Sequence, residues 1–208
     1  MKPFVSSPGS GGTQMTDAKE QQLYCPSCGE NVPTYAIPLA TGVDVRCATC
    51  GLSLSLQSGP PLRGLGAIMV TDDDNFFRCL LSDLLIERGL TGEVITCDSG
   101  SQFLTKVTER FRDELPIRLA ILDIIMQPLD GVSTALALRA VERGLKAVHP
   151  IPFVFLSAAR LDDTLTKLLG QCRPAVYLNK GQDATPDKLG LRLDKVIEHL
   201  LAQEKPPA

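Results

Sequence analysis

The chain has 208 residues, 44% apolar and 22% charged, with a formal net charge of −3 at neutral pH. That balance is ordinary for globular protein, with room for one domain of usual size and a smaller one, and it argues against a chain built to grip nucleic acid. No apolar run approaches the roughly 20 residues that span a bilayer, and the N-terminus lacks the apolar core of a secretory signal, so a cytoplasmic protein without membrane association is the expectation.

Residues 1–20 are rich in Ser, Gly and Pro and show no periodicity, so they are expected to be disordered. Cys25-Pro26-Ser27-Cys28-Gly29 follows, and then Cys47-Ala48-Thr49-Cys50-Gly51. A C-x-x-C turn lets two thiolates reach one ion, and the Gly after the second Cys relieves a tight backbone. Two such turns supply four thiolates, a closed tetrahedral set with no open position, so the ion is structural rather than catalytic. Residues 32–39, 43–46 and 52–56 read as short strands, the last because Leu52, Leu54 and Leu56 alternate with Ser53, Ser55 and Gln57. Residues 21–56 thus resemble a zinc ribbon with Cys25, Cys28, Cys47 and Cys50 as Zn2+ ligands. A module this small cannot fold on its core alone, so the metal should supply its folding energy. Its one basic residue, Arg46, stands against Glu30 and Asp44, and four thiolates outweigh one dication. A phosphate backbone would be repelled, which favours a protein-contact or structural role.

Residues 57–66 form a Gly/Pro linker. Beyond it, residues 67–71 are an apolar run ending on Asp72-Asp73-Asp74. Phe77, Leu80, Leu81, Leu84 and Leu85 then mark one face of a helix that Gly89 stops. Residues 93–97 read as a strand, and Phe103, Leu104, Val107 and Phe111 as a helix. Residues 118–122 read as a strand running into Asp123, and residues 132–143 as a helix. Residues 152–157 form a further strand, and Leu161, Leu165, Leu168, Leu169 and Cys172 stripe a helix. Residues 175–178 form the fifth strand, ending at Asn179-Lys180. Thr185 caps and Pro186 opens the last helix, whose face is Leu193, Val196, Ile197, Leu200 and Leu201. Five continuous apolar strands alternating with five helices predict an α/β fold with a doubly wound parallel sheet covered on both faces.

In such a sheet the carboxyl ends of the strands converge on one edge, where ligands bind. That edge gathers Asp72, Asp73, Asp123, Ser157 and Lys180. Three carboxylates together repel, so the site calls for a divalent cation, and hard oxygen ligands with room for water suit Mg2+. Lys180 adds a point charge suited to phosphate. With Asp123 as an already ionised nucleophile, the set can take and hold a phosphoryl group. No G-x-G-x-x-G or P-loop pattern accompanies it.

Residues 67–203 resemble the receiver domain of two-component response regulators. The matching pieces are Val70-Thr71-Asp72-Asp73-Asp74, Ile121-Leu122-Asp123 through Met126 to Leu129-Asp130-Gly131, Leu156-Ser157-Ala158, and Tyr177-Leu178-Asn179-Lys180. The resemblance implies the flavodoxin/CheY-like strand order 2-1-3-4-5, with residues 204–208 left as a tail. It implies that Asp123 is the phospho-acceptor, and that Mg2+ is held directly by Asp73, through water by Asp72, and by the Ile125 backbone carbonyl. Lys180 would bind the phosphate, and Ser157 and Tyr177 would form the switch pair. It implies a histidine kinase or phosphotransfer protein as donor and a downstream protein target, with no DNA-binding output domain. Phosphoryl acceptance with at most slow autophosphatase activity is then expected rather than enzyme turnover. Whether the chain forms a homodimer stays open.

Three departures from the family pattern stand out. Gln127 follows Met126 and moves Pro128 on by one. Gly181 follows Lys180, where the family has Pro. Ile125 and Ala159 occupy positions from which a polar side chain could orient water, which predicts slow loss of the phosphoryl group. The first two favour an alternative, a pseudo-receiver that binds partners without being phosphorylated, with the ribbon as docking element. An aspartyl-phosphate hydrolase is disfavoured because Ile125 stands where a second Asp would act as general acid. Asp74 and Asp130 are expected at helix starts. Cys79, Cys97 and Cys172 are expected as inert core thiols, and His149 and His199 as surface residues.

Overall fold

The computed structural model describes residues 22–39, 42–55, 66–181 and 185–202. The expected N-terminal disorder, nearly all of the expected linker and the tail fall outside the described residues.

The first part is built from two antiparallel hairpins. In one, β1 (Leu23–Cys25) pairs with β2 (Glu30–Val32); in the other, β3 (Thr34–Leu39) pairs with β4 (Gly42–Cys47). The strand expected over residues 32–39 is therefore interrupted. Pro33 has no N–H to give a ladder, and its carbonyl instead accepts from Ala48 N–H at 2.9 Å. The strand expected over residues 52–56 is reduced, among the described residues, to a single bridge between Arg46 and Ser53. Cys25, Val32, Cys47 and Leu52 make a small buried cluster.

The second part alternates strand and helix throughout. Its elements are β5 (Ala67–Thr71), α1 (Asn75–Glu87), β6 (Val94–Cys97), α2 (Gly100–Arg112), β7 (Ile117–Asp123), α3 (Gly131–Gly144), β8 (Phe153–Ser157), α4 (Asp163–Gly170), β9 (Ala175–Asn179) and α5 (Pro186–Ala202). All four strand pairings are parallel, and the order is β6-β5-β7-β8-β9. This is the flavodoxin/CheY-like order 2-1-3-4-5.

Successive side chains of a strand point to opposite faces, and the core divides accordingly. Ile68, Val70, Ile121 and Val154 pack with Leu81 and Leu85 of α1 and Leu193 and Val196 of α5. Met69, Leu122, Phe153 and Phe155 pack with Phe103 of α2 and Leu138 of α3 on the other face. The helix starts are capped as their sequences predict. Asp74 accepts from Phe76 N–H at 2.9 Å, and Asp130 from Ser133 N–H at 2.8 Å. Thr185 accepts from Lys188 N–H at 3.5 Å. The helix striped by residues 161–172 is shorter than its stripe. Asp162 caps α4, so Leu161 and Cys172 pack from the flanking loops.

Two expectations are corrected. Cys97 and Cys172 are buried, but Cys79 is exposed; it lies on the outer side of α1, away from the face carrying Leu81 and Leu85. His199 is not a surface residue. It is partly buried and lines a cleft between the two parts with Tyr35, Arg46 and Leu52. Burial, and then the nearby Arg46 charge, hold its pKa below the usual histidine value. Among the described residues, no helix is long and apolar enough to cross a membrane.

Candidate functional site

The carboxyl edge of the five-stranded sheet gathers the residues picked out from sequence. Asp72 follows β5, Asp123 ends β7, Ser157 ends β8 and Lys180 follows β9. Ligand oxygens of Asp72, Asp73 and Asp123 lie within 4.8 Å of one another. Asp72 is fully buried, Asp123 is 4% exposed and Asp73 stands at the open rim. Lys180 Nζ reaches Asp72 Oδ2 at 2.8 Å and Asp123 Oδ1 at 3.1 Å, while its ammonium lies 4.5 Å from the Phe77 ring centre. Sequence reading placed Phe77 only in the α1 core stripe; its position one turn into the helix after the Asp run was the available signal.

The electrostatics follow from this crowding. Burial raises the Asp123 pKa; Lys180 pulls it down, and the Asp72 and Asp73 charges push it further up, leaving it raised. Burial alone would depress Lys180, but its hydrogen bond to Asp72 and the charges of Asp123 and Asp72 outweigh that and raise it. One ammonium thus faces three carboxylates. The excess negative charge and the hard oxygen ligands fit a small divalent cation.

Ser157 is 1% exposed, and its hydroxyl accepts from Ala159 N–H at 3.1 Å. Tyr177, 4% exposed, packs in the layer with Phe155 and Leu169. Its hydroxyl donates to the Ala159 carbonyl and accepts from Asn179 Nδ2 at 2.8 Å. Ser157 and Tyr177 therefore meet at one short loop, residues 158–159. Ile125 lies in the loop between β7 and α3 with its side chain 63% exposed.

The four cysteines form a second cluster, their sulfurs within 4.8 Å of one another. Cys25 Sγ is 3.5 Å from Cys50 Sγ, and Cys28 Sγ is 3.8 Å from Cys47 Sγ. Metal–sulfur bonds of about 2.3 Å in a tetrahedron place sulfurs about 3.8 Å apart, so the cage fits one such ion. Gly29 and Gly51 take the positive φ that closes each turn, +78° and +76°, and Cys28 and Cys50 N–H groups point at Cys25 and Cys47 Sγ. Hydrogen bonding to Cys25, Cys47 and Cys50 pushes the Cys28 thiol up, and hydrogen bonds from Cys25, Cys28 and Cys50 hold Cys47 down. Four sulfurs this close cannot all ionise without a cation between them.

Sequence reading did not anticipate how the two parts join. The first C-x-x-C turn sits against β9 and α5. Asn179 N–H donates to the Ser27 carbonyl at 2.9 Å, and the Ser27 hydroxyl donates to the Tyr177 carbonyl. Arg192 of α5, 5% exposed, donates to the carbonyls of Pro26 at 2.7 Å, Ser27 at 3.1 Å and Asn179 at 2.7 Å. The signal for Arg192 was slight: one cation between Leu189 and Leu193 in an apolar stripe.

No protein-family profile matches the chain, and no curated protein matches it. Solved structures do. The receiver domain of the histidine kinase CKI1 from Arabidopsis thaliana, complexed with Mg2+ and BeF3−, aligns with a TM-score of 0.56 and 25% identity over 68% of this chain and 92% of that one. The same domain complexed with Mg2+ aligns with a TM-score of 0.50 and 25% identity, over 59% and 88%. A putative two-component system response regulator/GGDEF domain protein aligns with a TM-score of 0.50 and 21% identity over 66% of this chain; this chain spans 51% of its length. The structural neighbours are receiver domains, and the five-stranded part of this chain has the receiver fold.

Proposed function

We propose that the protein is a phospho-accepting signalling protein of a two-component phosphorelay. The observation that carries this reading is the meeting of Asp72, Asp73 and Asp123 within 4.8 Å, with Lys180 at 2.8 and 3.1 Å, at the end of a receiver-type sheet. In this reading a carboxylate oxygen of Asp123 attacks the phosphorus of a phosphohistidine on a kinase or phosphotransfer protein. A P–O bond forms as the P–N bond breaks, and the imidazole leaves. Asp73, Asp72 and the Ile125 carbonyl would hold Mg2+, which offsets charge on the carboxylates and the phosphoryl oxygens. Lys180 exchanges its contact with Asp123 for a phosphoryl oxygen. The Ser157 hydroxyl turns from Ala159 toward the phosphoryl group, and Tyr177, bonded to the same loop, carries the change to the surface by which a target protein is met. The cysteine cage takes Zn2+ in a structural role.

Incubation with Mg2+ and acetyl phosphate should add one phosphoryl mass to the intact chain, and Asp123→Asn should remove the gain. Absence of any adduct on the unaltered chain would overturn the reading. It would favour the pseudo-receiver, which draws support from Gly181, at φ +74°, in the place of the proline that follows Lys180 in the family.

A further inference from the structure

We infer that the first cysteine turn is a positioning element for Lys180, so that zinc retention and phosphoryl binding at Asp123 reinforce each other. The inference rests on the phospho-acceptor reading and adds a regulator to that site.

Within its own sheet, the backbone that carries Lys180 is held from one side only. Lys180 follows the end of β9, the edge strand, and precedes a glycine in the left-handed region. A proline there would restrict the turn; a glycine frees it. Something else must fix the backbone from which the ammonium reaches 2.8 Å to Asp72 and 3.1 Å to Asp123. Within the sheet, Lys180 N–H is bonded to the Ser157 carbonyl at 2.7 Å. On the open side of the strand, both backbone groups of Asn179 are held at the cysteine turn. Its N–H goes to the Ser27 carbonyl, and its carbonyl takes Arg192, which also grips Pro26 and Ser27. The Ser27 hydroxyl holds the Tyr177 carbonyl two residues earlier.

The turn is shaped for this seat. Ser27 is fully buried, although it lies between two ligands on a tight surface turn. A Cβ on Gly29 would stand 2.7 Å from Arg192 Nη2, so this glycine makes room for the guanidinium as well as closing the cysteine turn. Asn179 completes the connection: its side chain donates to the Ala159 carbonyl at 3.0 Å and to the Tyr177 hydroxyl, and accepts from Gly181 N–H at 2.7 Å. Ser27, Asn179 and Arg192 thus join the metal turn to the loop beside Ser157 and to the base of Lys180. Where the seat sets the reach of Lys180, binding at the two sites is coupled, and the coupling is reciprocal.

Zinc-loaded full-length protein tests this with beryllofluoride as the phosphoryl analogue. In the presence of Mg2+, beryllofluoride should tighten zinc binding, measured by equilibrium competition with a chromogenic chelator, by about fivefold or more. Ser27→Ala retains all four ligands and should weaken beryllofluoride binding by about threefold to tenfold, the effect of one hydrogen bond, as followed by NMR titration. A zinc affinity that beryllofluoride leaves unchanged overturns the inference even where the variant is less stable, because a loss of stability in a variant does not by itself couple the two sites. If the unaltered protein does not bind beryllofluoride at all, the phospho-acceptor reading fails and this one with it.

Discussion

Asp123 carries a cost that Lys180 relieves in part and that Asp72 and Asp73 add to. Burial is the main reason its pKa is raised, so the fold disfavours the ionised form. The native state therefore loses stability as pH rises from about 4, the unfolded value, through the raised folded value, and the loss persists above it. In metal-free buffer at pH 7, Asp123→Asn should raise the melting temperature. The gain should shrink as pH falls toward about 4, and Lys180 keeps Asp72 as partner in the variant. A melting temperature unchanged at neutral pH would show that the carboxylate is not strained. Ile125 is a second residue with a defined expectation. In the phospho-acceptor reading, an exposed isoleucine at the rim cannot orient a water, so the acyl phosphate should be long-lived, and Ile125→Asn should speed its hydrolysis by about tenfold or more, read as loss of the phosphoryl mass with time. Equal lifetimes would remove water orientation as the explanation.

At the scale of elements, a buried ion pair within α3 holds the loops that lead into β8 and β9. Arg139 and Glu142 side chains are only 6% and 4% exposed and meet at 2.5 Å. Arg139 also donates to the carbonyls of Ile151 at 2.6 Å and Cys172 at 2.8 Å and covers the Phe153 ring. Glu142→Ala would leave that guanidinium buried without its counter-charge, at a cost of about 3–5 kcal/mol. The measurement is a lower denaturant midpoint with the slope unchanged. The alternation of strands and helices, their caps and the residues of the acidic pocket were legible in the sequence, because each rests on local signals. Apolar periodicity, a capping side chain and a strand-end carboxylate all act within a few residues. The break at Pro33 was legible too and was overridden by the apolar run around it. What was not legible depends on distant partners. Nothing local marks His199 as lying against Arg46, or the buried Arg192 as bonded to carbonyls of the Cys25–Cys28 turn, since a lone cation beside a stripe reads equally well as solvated. Cys79 misled in the opposite way: its neighbours Leu80 and Leu81 are apolar, but its own place on the helix turns outward.

For the whole molecule, the two parts meet at the β9–α5 face, where Val176 packs against the cysteine cluster, and at the loop between β8 and α4, where Arg160 pairs with Glu30 at 3.0 Å. Chelation should therefore be felt beyond the cysteine module. Hydrogen exchange of Asn179 N–H, whose acceptor is Ser27, should accelerate on zinc removal, while amides of β5 and β7 keep their protection. Exchange at Asn179 that ignores the metal would mean the seat survives without it.

The bonds of that seat also join residues very far apart along the chain: Ser27 to Tyr177 across 150 positions, and Pro26 to Arg192 across 166. Local contacts form early and distant ones late, because the connecting chain must be closed first. In the zinc reading, the cysteine cage could gather an ion as soon as residues 25–50 are made, yet its seat exists only after β9 and α5 have been synthesised and packed. Joining the two parts must then await the synthesis of α5. A chain interrupted before α5 would carry a metal-bound turn with nothing to rest on, and the buried Ser27 would mark finished molecules from unfinished ones.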